Sequence, residues 1–432
     1  MNSFKKLLCN AFDFKEGELG AGLAGMALFA LVFCSYSMLR PIRDTMGIAG
    51  GVKNLQWLFL ATFAATFIVQ IPYAKAVSYF KKRLILPVVY GFFALNLVLF
   101  AALIREQGGQ AWLGRAFYVW CAVFNLLVIS LGWSLMNDAL SSAQARRLFA
   151  FIATGSSAGS IVGPALTMFL ATRVGERPLL LISSALLLAA AALSQLVLAV
   201  SRGSTKDVES EERPIRGSVW AGMAATFRSR YLRQMALFIV LSSTVNTFLY
   251  FELMNYVAGE FADRGEQAVA FSAVDLAVNA ASILLQLFVT GRVAQKLGLM
   301  PLLALVPALC VAGFIALCIW PGFTAAAVTM TLRRAGQYGF VRPGREMLFS
   351  LVGEEDKYKA KNFLDTVVYR GGDVISAFIA RGLDALGGGL VSALGGAAAS
   401  LAWAFNSIYL DRLNQRLARG ISKTSEDRGN GD

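Results

Sequence analysis

The sequence predicts an all-α integral membrane protein with twelve transmembrane helices in two pseudo-symmetric six-helix halves. Three observations carry that expectation. Of the 432 residues, 56% are hydrophobic and only 16% are charged, whereas a soluble domain carries roughly 25% charged residues. Apolar runs of about 20 residues, the length that crosses a bilayer core, recur along nearly the whole chain. The basic residues fall in the gaps between these runs, and they fall unevenly.

The runs lie at 20–39, 54–74, 84–104, 116–137, 148–171 and 179–201 in the first half, and at 234–256, 268–291, 300–319, 322–341, 363–380 and 390–410 in the second. Each is expected to be helical, because backbone in lipid has to satisfy its own hydrogen bonds. Arg370 lies inside a run. The other Lys and Arg of the 40 in the chain divide thirty to nine between the two sets of alternating gaps, with Arg333 and Arg334 counted in the gap after the tenth run. By the positive-inside rule this split places both termini in the cytoplasm, and the expected location is a bacterial inner membrane. The first run is long and lacks a small-residue cleavage site, so it is expected to be an uncleaved anchor. The domain plan is a six-helix bundle over 1–201, a cytoplasmic linker over 202–233, a second bundle over 234–410 and a tail over 411–432. In the linker, Trp220, Met223 and Phe227 are spaced to share one face of an amphipathic helix at the membrane surface.

The net charge is +13 and there is no histidine. Nucleic acid is not an expected partner, because the basic residues are topological signals rather than an exposed face. Cys9, Cys34, Cys121, Cys310 and Cys318 form no CxxC pair and read as helix-packing residues. No nucleophile–base pair or metal cluster stands out, so an enzyme is disfavoured and no cofactor is expected. Twelve spans suffice for a complete pathway, which makes a monomer in the lipid bilayer the expected state.

Charges within spans are costly and point to function. Span one ends in Arg40, Arg43 and Asp44; the arginines either cap the helix by pairing with Asp44 or, for Arg43 above all, bind substrate. Asp275, Asn279, Ser282 and Gln286 of span eight are spaced to share one face, lining a cavity or bonding a neighbouring helix. Glu252 and Asp275 are expected at similar depth, and either can carry a proton. Of Arg333 and Arg334 in span ten, followed by Gln337, only one can point into a cavity; Arg334 is taken as the site residue. In span eleven, Thr366, Tyr369, Arg370 and Asp373 form a stripe. Arg370 and Asp373 either neutralise each other or serve as anion clamp and coupling carboxylate. Span four offers Asn125, Trp133 and Asn137. Arginine recognises carboxylate and phosphate, so the expected substrate is a small anion bound by Arg43, Arg370, Asn125, Asn279 and Arg334. Asp275, Glu252 and Asp373 are the candidate coupling carboxylates. An exporter or lipid flippase of the same fold is the alternative.

Two family resemblances add to this reading. Lys75, Lys81, Lys82 and Arg83 after span two, echoed by Arg292 and Lys296 after span eight, resemble the basic gaps of the major facilitator type of transporter. Gly155, Gly159 and Gly163 followed by Pro164 read mainly as close helix packing. Three further segments, 39–44, 132–137 and 342–349 continuing through 357–365, resemble the ATP/ADP translocases of plastids and intracellular bacteria. That resemblance implies that Arg43 contributes to a phosphate site and that the substrate is a nucleotide or phosphorylated metabolite. Other positions of that family's pattern fall here on Cys121, Gln337 and Asp373, which do not supply its acidic or basic groups.

Overall fold

The structure, a computed structural model, describes residues 18–79, 82–104, 111–201, 219–353 and 360–429. The basic gap residues Lys81, Lys357 and Lys359 lie outside them, as do Cys9 and residues 202–218 of the linker. The described residues are helical almost throughout, without strands.

Among the described residues, ten helices are long and apolar enough to cross a membrane. The expected twelve follow from two local features. The helical stretch from residue 360 to 419 is long enough for two spans, and it breaks at Gly387 (φ −158°, ψ 23°) and Gly388 (φ 67°, ψ −162°). The positive φ of Gly388 is one that a Cβ would oppose, so the chain turns there between spans eleven and twelve. Span ten is built from Phe323–Gly336, Gln337–Val341 and Arg342–Leu348, and the arginines within it lower its mean hydropathy.

The chain packs as two units. The first contains residues 1–212 and 261–279; the second contains 213–260 and 280–432. The eighth span, Arg264–Leu284 with its continuation to Leu297, therefore contributes its first half to one unit and its second half to the other.

In the first unit, span one (Glu18–Ala49) lies at the centre, packed on spans four (Ala111–Ala139), five (Ser142–Val174) and six (Glu176–Ser201). The glycine stripe of span five makes this possible. A Cβ on Gly155 would stand 2.0 Å from the Met26 carbonyl oxygen, and one on Gly159 2.3 Å from that of Ala30. Only glycine allows such an approach, so the stripe is a packing device. Tyr90 is fully buried and donates its hydroxyl to the Val128 carbonyl at 2.9 Å. Trp133 packs on Phe29, 4.4 Å between centroids, and on Phe149; its indole is part of the core.

In the second unit, span seven (Arg230–Glu260) packs along the helix that carries spans eleven and twelve, and span nine (Leu299–Ile319) covers the same helix. Helix Val219–Arg228 precedes span seven, with Phe227 exposed and Met223 partly buried, and Ser229 bonds the first turn of span seven at the Leu232 N–H. After span twelve the helix continues to Gly429.

Three spans of the second unit contain π-helical segments, at Leu285–Thr290, Gln337–Val341 and Leu364–Val368. Such segments widen the turn and leave carbonyls poorly served. Two of them serve each other: Gln286 donates to the Tyr338 carbonyl at 3.3 Å and Thr290 to that of Gly339 at 2.7 Å.

Candidate functional site

In the first unit, Arg43 donates through Nε and Nη2 to one oxygen of Asp44, at 2.9 and 2.6 Å, and lies 5.2 Å from the Tyr118 ring centre. Both helix geometry and aromatic contact therefore hold it. Arg40, one turn earlier, stands 3.7 Å from Asp275. Asp275 is buried and belongs to the part of span eight that packs in this unit. Two arginines one turn apart thus each stand against an aspartate. Four residues on from Asp275, Asn279 donates to the Ser160 carbonyl at 2.6 Å, so it ties span eight to span five. Asn125 is partly buried and its Oδ1 makes no hydrogen bond, which marks it as a group with unused recognition capacity.

The second unit holds a different network, organised by span seven. Ser242, Ser243, Asn246 and Thr247 share one face of that helix. Arg333 is 3% exposed. It donates to Asn246 Oδ1 at 2.5 Å, to the Ser242 carbonyl at 2.9 Å and to Ser242 Oγ at 3.3 Å. Its Nε is buried without a partner, and among the described residues no carboxylate lies within ion-pair distance of it. Ser242 also donates to Gln337 at 3.3 Å. On the other side of the same face, Asp373 Oδ1 accepts from Ser243 at 2.5 Å and from Thr247 at 3.4 Å. Thr244 and Ser376 bond at 2.8 Å just beyond it.

Arg370 and Asp373 are one turn apart on span eleven but form no ion pair. Among the described residues Arg370, partly buried, makes no hydrogen bond or ion pair at all. The mutual neutralisation open to this pair is thus not used. Of the adjacent arginines in span ten, it is Arg333 that enters the interior network, while Arg334 is partly buried on a face about 100° away. Sequence reasoning favoured the other member of that pair and passed over Ser242, Ser243 and Thr247. With Asn246 they fall at 242, 243, 246 and 247, and that polar cluster on one face of an apolar span is the signal that could have found them.

Glu252, on the same helix, is 2% exposed and has Oε1 unpartnered. It lies beside Gly389 at the break between spans eleven and twelve. Gln286, the last member of the expected stripe on span eight, is exposed. Near the 354–359 gap, Arg345 pairs with Asp365 at 2.9 Å and Lys361 with Glu346 at 2.6 Å. Among the described residues no group of acids, cysteines and histidines could hold a metal ion.

No curated protein matches this chain. Solved structures do. A bacterial homologue of the iron transporter ferroportin, in an inward-facing state, superposes with a TM-score of 0.65 at 13% identity, over 92% of this chain and 99% of the other. The nucleoside transporter NupG gives 0.56 at 13% identity, over 91% and 99%. A bacterial homologue of the lysosomal transporter Spinster gives 0.56 at 12% identity, over 95% and 98%. At these identities the likeness is one of fold. The sequence profile of the Major Facilitator Superfamily matches residues 21–343. With twelve spans, two packing units and that match over most of its length, the chain belongs to the Major Facilitator Superfamily, as a membrane transporter and not an enzyme.

Proposed function

We propose that this secondary transporter moves a small anionic solute across the bacterial inner membrane by alternating access. The observation that carries the reading is Arg370: a guanidinium within a span, partly buried, without a hydrogen bond or ion pair to any described residue. Holding a charge there is costly, and an arginine left without an internal partner is suited to grip a carboxylate or phosphate. The Arg40–Arg43–Asp44–Asp275 centre supplies a second set of charges that an anion can engage by displacing an acid. Of the candidate coupling carboxylates, Asp275 and Asp373 stand beside arginines and Glu252 stands at a helix break, so the first two are the coupling groups.

Within the anionic class, the likeness to ATP/ADP translocases puts nucleotides and phosphorylated metabolites, with Arg43 toward the phosphate, among the solutes to test. The deciding experiment is uptake into proteoliposomes of labelled nucleotides, sugar phosphates, carboxylates and neutral nucleosides, with fluorescent lysophospholipids in parallel. Uptake of an anion that Arg370→Ala abolishes supports the reading. Movement of lipid alone, with water-soluble solutes inert, favours the flippase instead.

A further inference from the structure

We infer that the network of the second unit recognises a small hydroxylated monoanion: Arg370 takes its oxyanion, Asp373 Oδ2 accepts from its hydroxyl, and Arg333 is a fixed background charge that sets the valence of the solute. This rests on the anion-transport reading and narrows it.

Arg333 is held by neutral groups only, Asn246 and Ser242. Its guanidinium is enclosed, so it is placed to act by its field rather than by contact. The charges of Arg333 and Arg370 both act on Asp373, and among the described residues neither arginine has a carboxylate within ion-pair distance. Two positive charges thus face one negative charge, and a buried excess of one favours a partner that brings one negative charge. A nucleotide brings several and would leave the interior overcharged in the opposite sense.

Both hydroxyls of span seven that reach Asp373 converge on Oδ1. Oδ2 makes no hydrogen bond to a described residue and is not enclosed. A carboxylate oxygen can only accept, so its complement is a donor on the solute. Arg370 stands one turn away on the same helix, close enough for the two side chains to engage opposite ends of one small solute. Span seven holds both poles: Ser242 and Asn246 fix the arginine, Ser243 and Thr247 fix the aspartate. Such pre-organisation discriminates well against an analogue lacking the hydroxyl, because the acceptor is then desolvated and unpaired.

The test is thermal stabilisation of the full-length purified protein by lactate, glycerate and gluconate, with propionate, lactamide and ADP as comparators. Wild type is expected to bind at least one hydroxy acid about tenfold more tightly than its deoxy or amide analogue. Arg333→Met is expected to fold and to lose the preference for lactate over neutral lactamide. Asp373→Ala is expected to lose the preference for lactate over propionate. A variant that merely loosened the fold would weaken all ligands alike and leave these ratios unchanged. Unchanged ratios in folded Arg333→Met, tighter binding of ADP than of every monoanion, or no stabilisation by any hydroxy acid overturns the inference. If ADP binds and Arg370→Ala abolishes it, the anion-transport reading survives while this one fails. If only neutral solutes or lipids bind, both fail.

Discussion

Arg333 and Asn246 stand 2.5 Å apart, guanidinium to side-chain carbonyl, and through this bond a neutral residue of span seven holds a buried cation of span ten. The arrangement is expensive. A buried charge with a removed partner is typically destabilising by about 3–5 kcal/mol, while replacing buried ionic groups by apolar ones of similar volume is often neutral or stabilising. Asn246→Leu is therefore expected to lower the unfolding temperature, whereas Arg333→Met is expected to keep or raise it while impairing transport. Thermal unfolding and uptake of both variants check this, and a strong fall in stability for Arg333→Met would argue that the residue is structural.

Close packing of spans one and five depends on missing side chains. Gly155→Ala and Gly159→Ala drive a methyl into the Met26 and Ala30 carbonyls, and overpacking of this kind costs about 1–3 kcal/mol or more. Gly91 has no atom near its added Cβ, so Gly91→Ala serves as control and is expected to be neutral. Size-exclusion profiles and melting curves of the three variants compare them directly.

Two ion pairs span the 354–359 gap, Arg345–Asp365 and Lys361–Glu346. Both pairs join the end of span ten to the start of span eleven. Arg345→Asp is expected to slow or uncouple transport, and the charge swap Arg345→Asp with Asp365→Arg to recover much of the rate. Partly exposed pairs of this kind weaken with salt, so the wild-type rate should depend on ionic strength more than that of Arg345→Ala with Asp365→Ala.

The thirty-to-nine division of basic residues predicts that both termini face the cytoplasm. Fusion of green fluorescent protein after Asp432 is expected to fluoresce, and alkaline phosphatase at the same point to be inactive. The reverse pattern would invert the assignment of the gaps.

The spans were legible because hydropathy is set by composition, which does not depend on partners. That holds even where Arg333 and Arg334 lower the hydropathy of span ten, over 322–341, and where spans eleven and twelve, over 363–380 and 390–410, are parted by the short stretch that ends in the Gly387–Gly388 break. Site residues were less legible, because their helical phase had to be assumed. A regular helix puts Asp275, Asn279, Ser282 and Gln286 on one face, but the π segment at Leu285–Thr290 shifts the register and leaves Gln286 exposed while Ser282 is buried. Span eleven carries a similar insertion at Leu364–Val368, just before Arg370. The choice between Arg333 and Arg334 turned on the same unknown: adjacent residues differ by about 100°, and only the polar face of span seven decides which one is accommodated.

The central claim is that Arg370 grips an anionic solute. Titration of purified wild type with the anion panel, followed by thermal unfolding, tests it most directly; a ligand at about 100 times its Kd adds about 2.7 kcal/mol. The account predicts that at least one anion stabilises wild type, that Arg370→Ala removes the shift, and that Arg381→Ala, at an arginine already paired with Asp384 at 2.5 Å, retains it. An anion shift that persists in Arg370→Ala, or stabilisation by neutral solutes alone, would contradict it.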